Sequence, residues 1–188
     1  FVFQMGIEVL DGFSTRWGAS SGDILANTTG AVWFLGQELL WEEQRILFKY
    51  TSHKIDYSQQ PQAVQDRALA LYGDNWAQRL LKDYNGQTYW LSANIWSFSK
   101  ESNFPKWINI ALGYGAEAMV NVSNSSYNLA SQKPFRQFYI SLDLDLSKIK
   151  TQSKILQSVF SVINFIKIPA PTIEFRSKGG LKFHYLYF

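Results

Sequence analysis

Four side chains near the start of the chain, Glu8, Asp11, Asp23 and Asn27, have the types and spacing to do chemistry. Glu8 and Asp11 share a helical face with Gln4. Asp23 and Asn27 share another with Gly30, Gln37, Glu38 and Arg45, at about 100° per residue. If the two segments fold back across the glycine-rich turn Gly12–Gly22, three carboxylates and an amide meet in apolar surroundings. A bare charge is costly there unless it is protonated, paired or metal-bound. The arrangement suits a hard cation on oxygen ligands, with Glu8, Asp11 and Asp23 as candidate metal ligands, or an acid/base pocket of carboxylates with separated pKa values. The plainer reading is structural: Asp23 and Asn27 cap and hydrogen-bond the turn, and Arg16 or Arg45 neutralises Glu8 or Glu38.

The other chemistry-bearing residues are sparser. His53 sits in a polar linker and His184 in a terminal strand, too far apart in sequence to suggest a zinc site or a triad. Asp143 and Asp145 point the same way on a strand, which paired catalytic carboxylates require, but they read as a solvated face that protects a sheet edge. Gly113-Tyr114-Gly115 reads as a turn and not as a nucleotide loop. With no cysteine, thiolate catalysis, thiolate metal sites and disulfides are excluded. No cofactor is indicated.

The elements that would position these groups follow from periodicity. Phe1–Leu10 reads as the end of a helix, and Asp23 to about Tyr50 as a second, mostly apolar helix with a minority polar stripe. Together they make an apolar helical hairpin over residues 1–50. Ala63–Leu71 and Trp76–Tyr84 read as short helices, and Gln87–Ser99 as helical continuation. From Trp107 the period moves towards two, with turns at Gly113, Gly115 and Asn121–Ser126. Tyr139–Leu146 is the clearest strand, Thr151–Lys167 a late helix, and Thr172–Arg176 with Leu181–Phe188 a closing hairpin. The expected fold is therefore α+β: a mainly helical part over 1–106, then a small antiparallel sheet with one helix over 107–188, in one compact unit. The alternating aromatic C-terminus resembles an outer-membrane strand, but about four countable strands fall short of the eight a barrel needs.

Composition narrows the partners. The 188 residues are 16% aromatic and only 18% charged, below the usual ~25%. Residues 1–50 carry six acids and three bases, the remainder nine acids and fifteen bases. No Lys/Arg run is dense enough for nucleic acid. Charge depletion and apolar helices point to membrane lipid or a protein interface, and Phe1 at the start implies a missing upstream portion or a removed leader.

FQMGIEVLDGFSTRWGASSGDILANTTGAVWFLGQELLWEEQR resembles the central signature of the YfiM-like predicted periplasmic lipoproteins, an uncharacterised bacterial family. FYISLDLDLSKIKTQSK, IKIPAPTIEF and LKFHYLYF are similar to the C-terminal part of its longer members. More distantly, Glu8 followed by Asp23 and Ala26-Asn27-Thr28-Thr29-Gly30 is similar to VanZ-like membrane families. These families carry an earlier Asp-Lys-x-x-His element that this sequence lacks. The resemblance implies a lipid-anchored cell-envelope protein at the outer membrane or its periplasmic face, and it implies no reaction. The expected function is a non-enzymatic accessory subunit that packs against lipid or an outer-membrane protein complex. The alternatives are an envelope lipid or cell-wall enzyme using Glu8, Asp11, Asp23 and Asn27, and a lipid-binding module.

Overall fold

The computed structural model describes residues 21–99, 103–120 and 134–188. The chain divides into two compact units, Phe1–Arg45 and Ile46–Phe188. Of the first, residues 21–45 are described, and Ser21–Trp41 form helix α1. The helix expected over Phe1–Leu10, the turn Gly12–Gly22 up to residue 20, and the Asn121–Ser126 turn lie outside the described residues.

The second unit is built on one six-stranded antiparallel sheet in sequence order. Its strands are β1 (Ile46–Ser52), β2 (Gln87–Asn94), β3 (Ile108–Glu117), β4 (Phe135–Leu144), β5 (Ala170–Arg176) and β6 (Leu181–Tyr187). Helices α2 (Gln62–Tyr72) and α3 (Trp76–Lys82) lie between β1 and β2, the single turn α4 (Ile95–Phe98) after β2, and α5 (Lys154–Ile163) between β4 and β5.

This corrects the expected fold at three places. No apolar helical hairpin stands at the head of the described chain: α1 is a single helix, and the segment expected to prolong it to Tyr50 turns into β1. The break is local. Glu42 takes φ 55°, and the buried Gln37 amide accepts from Arg45 N at 3.0 Å and donates to Gln44 at 3.0 Å. Gln44 in turn donates to the Phe34 carbonyl at 3.1 Å, which ties the segment after the helix back onto its last two turns. Second, Gln87–Asn94 is the strand β2, not helix, because Thr88, Trp90, Ser92 and Asn94 alternate onto a buried face. Third, Gly113 and Gly115 are not turns but lie within β3. A Cβ on Gly113 would stand 2.6 Å from the Trp90 ring, so glycine there lets the indole lie flat on the sheet.

The sheet is inside out for a protein in water. Its outward residues form cross-strand rows, one of which is Phe48–Leu91–Leu112–Ile140–Ile173–Phe183, continuous over all six strands. The next row towards one end is Tyr50–Tyr89–Tyr114–Phe138–Phe175–Leu181. Phe48, Leu112 and Phe183 are more than half exposed, at 61%, 55% and 51%. The other face is polar and buried. It is also concave: a flat sheet would set β1 and β4 about 14 Å apart, yet Lys49 on β1 donates to the Leu144 carbonyl at the end of β4 at 2.7 Å. Tyr187 on β6 likewise meets the Thr88 hydroxyl on β2 at 3.1 Å.

Candidate functional site

The concave face carries two polar clusters with a ring layer between them. That layer is Trp90, Ala111 and Tyr139, packed against Tyr187. Thr51 accepts from the Trp90 indole N–H at 2.9 Å, and Tyr187 donates to the Tyr139 hydroxyl at 2.8 Å.

At one end Lys49 Nζ meets Asp143 Oδ2 at 2.8 Å, with both side chains fully buried. Asp143 also accepts from Ser92 Oγ at 2.6 Å and from Ile168 N at 3.1 Å. Asn109 links Ser92 to Asn94, and Asn164 accepts from Lys49 and donates to Asp145. Lys167, also fully buried, stands 4.6 Å over the Trp90 ring. Asp143 and Asp145 are thus not on a solvated face, being 0% and 1% exposed. The alternation placed them correctly on a common face and misjudged which face meets water. Every partner in this cluster is satisfied from within, so its work is to hold the sheet's curvature.

At the other end a cavity of about 220 Å³ opens between strands. Its floor is Glu174, 1% exposed, which accepts from Gln137 Nε2 at 2.9 Å and Arg176 Nε at 2.5 Å and pairs with His184 Nε2 at 2.7 Å. Gln137 also donates to Glu117 at 3.0 Å, tying β3, β4 and β5 together. His53, Lys182 and Tyr187 complete the wall. The two histidines, remote in sequence, line one cavity. His53 stays exposed on one side, and its partial desolvation at the cavity wall pushes the imidazole below its ordinary value, against the opposing pull of Glu117 and Asp83. An imidazole held by a buried carboxylate is the geometry of a general acid/base, and Arg176 and Lys182 add donors for a ligand's oxygens.

Beneath the cavity, outside the strands, Tyr57, Val64, Ala68 and Tyr72 form an aromatic cluster. Tyr57 donates to both oxygens of Asp83, at 3.0 and 2.9 Å, and Asn85 donates to Asp83 at 2.9 Å. Burial, then the hydrogen bond to Asp83, raises the Tyr57 phenol well above its ordinary value, so it stays a donor.

The sequence-derived candidates lie elsewhere. Glu8 and Asp11 are outside the described residues. Asp23 is exposed in the first turn of α1, and Asn27 is half-buried one turn later. Among the described residues no group of three or more His, Cys, Asp or Glu is placed to hold a metal ion. The cavity residues were missed although a signal existed: Thr172, Glu174 and Arg176 alternate on one strand, and Lys182 and His184 alternate on its hairpin partner. No family model matches the chain, and no curated protein or solved structure matches it.

Proposed function

We propose that this is a protein of the bacterial outer membrane whose six-stranded sheet lies in the bilayer, apolar face to lipid and polar face to a protein interior. The observation that carries the reading is the row Phe48–Leu91–Leu112–Ile140–Ile173–Phe183, apolar and outward on every strand. Water disfavours such a face. A sheet whose outward positions are apolar and whose inward ones are polar is what a bilayer selects. The neighbouring row, three tyrosines followed by two phenylalanines, matches the aromatic belt found at the membrane–water boundary. No helix among the described residues is long and apolar enough to cross a membrane. The resemblance to YfiM-like envelope proteins points the same way, and an accessory role beside an outer-membrane complex is compatible with it.

Lipid does not tolerate an open sheet edge. β1 has its outer edge partly covered, with Tyr50 N donating to Phe165 O at 2.8 Å. β6 pairs with β5 alone among the described strands, so the reading requires a further strand, from this chain or another, against β6. The test uses the cysteine-free background: a nitroxide on Leu112→Cys should be accessible to oxygen and shielded from a polar relaxant in proteoliposomes. One on Asp66→Cys in α2 should show the reverse. Equal polar access at both sites would refute the reading.

The Glu174–His184 pair favours a second reading, an envelope enzyme that uses the cavity for acid/base chemistry. His184→Gln would then abolish turnover of the envelope substrate while leaving membrane insertion intact; unchanged turnover would exclude it.

A further inference from the structure

We propose that helix α5 is an interfacial anchor that lays its apolar face into a membrane surface bearing anionic headgroups. The inference rests on the membrane reading of the sheet, but a different element carries it. At about 100° per residue, Ile155, Leu156, Val159, Phe160, Val162 and Ile163 fill one continuous arc of the helix. Lys154, Gln157, Ser158 and Ser161 fill the other side. An ordinary surface helix would turn the apolar arc inward, whereas here no residue of the helix is buried. Ile155 and Val162 are 79% and 68% exposed.

Both sides of the helix stand largely clear of the protein: Lys154, Gln157, Ser158 and Ser161 are exposed, and Phe160 on the apolar arc is its one half-buried residue. Asn164, immediately after the helix, is buried and accepts from Lys49 Nζ at 3.2 Å and from Leu146 N at 2.9 Å. The helix is thus fixed to the protein at its C-terminal end, through Asn164, while most of its apolar arc stays exposed. Ser153 caps its start by accepting from Leu156 N at 3.3 Å, so the amphipathic turn pattern begins at a defined residue.

Charge selects the occupant. From Leu146 to Ile173 the chain holds Lys148, Lys150, Lys154 and Lys167 and no Asp or Glu. Lys167 is buried, while Lys150 and Lys154 are exposed at the helix approach. A strongly amphipathic helix entered through exposed lysines, with no acid to repel phosphate, has the composition of a helix that lies in the headgroup plane of an anionic membrane. A second copy of the chain would meet the same lysines with its own, which argues against self-association through this face.

The full chain is mixed with vesicles of phosphatidylcholine alone or with added phosphatidylglycerol, and its partitioning is measured by flotation. The anionic lipid should raise partitioning, and Lys150→Gln with Lys154→Gln should remove about a twenty-fivefold share of that gain, each lysine counting for about fivefold. Val159→Asp should weaken binding to both vesicle types. Leu112→Arg, on the sheet face, should lower insertion but leave the phosphatidylglycerol gain in place, so failure of the sheet reading is distinguished from failure of this one. Circular dichroism checks that the variants, all at non-buried positions, keep the fold. Partitioning indifferent to phosphatidylglycerol, or unchanged in the double lysine variant, would overturn the proposal. So would concentration-dependent dimerisation abolished by Val159→Asp.

Discussion

Single residues on the concave face carry the most legible energetics. Asp143→Ala would strand the Lys49 ammonium in a fully buried site, and such a loss costs about 3–5 kcal/mol. Replacing both, as Lys49→Met with Asp143→Leu, should recover most of that loss in denaturant unfolding. Non-recovery would show that Ser92 and Ile168 N depend on the carboxylate more than Lys49 does. Gly113→Val should cost at least ~1–3 kcal/mol, because the Trp90 ring fills the space the new side chain needs. His53 supplies a pH dependence. His53 remains partly exposed, and its partial desolvation holds the folded pKa modestly below the unfolded value of 6.5, so the unfolded chain binds the proton first as pH falls. Stability should be full above about pH 6.5 and decline below it until the folded pKa is reached. His53→Gln should flatten that decline in a pH series of unfolding curves.

At the scale of elements, the period of the sequence was a better guide than its polarity. The short helices α2 and α3, the late helix α5 and the closing hairpin β5–β6 were legible from breaks at Gly73, Asn85-Gly86, Pro169 and Ser177–Gly180. β1 and β2 were not. Lys49 and Thr51 look like solvated residues, and their burial against Asp143 and Trp90 depends on strands far away in sequence. The leucines of β4 were placed on one face correctly, but a default that apolar means inside put Asp143 in water. The cavity stayed hidden because Glu174 drew no reading and His184 was placed only in a terminal strand, and their meeting depends on the register of the hairpin. The half-site expected around Glu8, Asp11, Asp23 and Asn27 turns on residues outside those described. What the structure contributes there is the position of Asp23 and Asn27 on α1.

The second unit has one organising property: the polar groups of its sheet face each other and the apolar groups of the sheet face away. A chain that folds this way in water would expose the rows through Phe48 and Tyr50 as a continuous apolar patch and would aggregate. On the membrane reading proposed above, lipid is what that patch meets. The measurement that tests this most directly is the folding free energy of Leu112→Arg in phospholipid bilayers, beside that of Asp66→Arg on α2. With Leu112 in the central apolar row, the arginine should cost about 2–4 kcal/mol in the bilayer, while Asp66→Arg should change stability by no more than about 0.5 kcal/mol. Equal, small costs at both positions would mean that the face of the sheet meets water, and the account would be wrong.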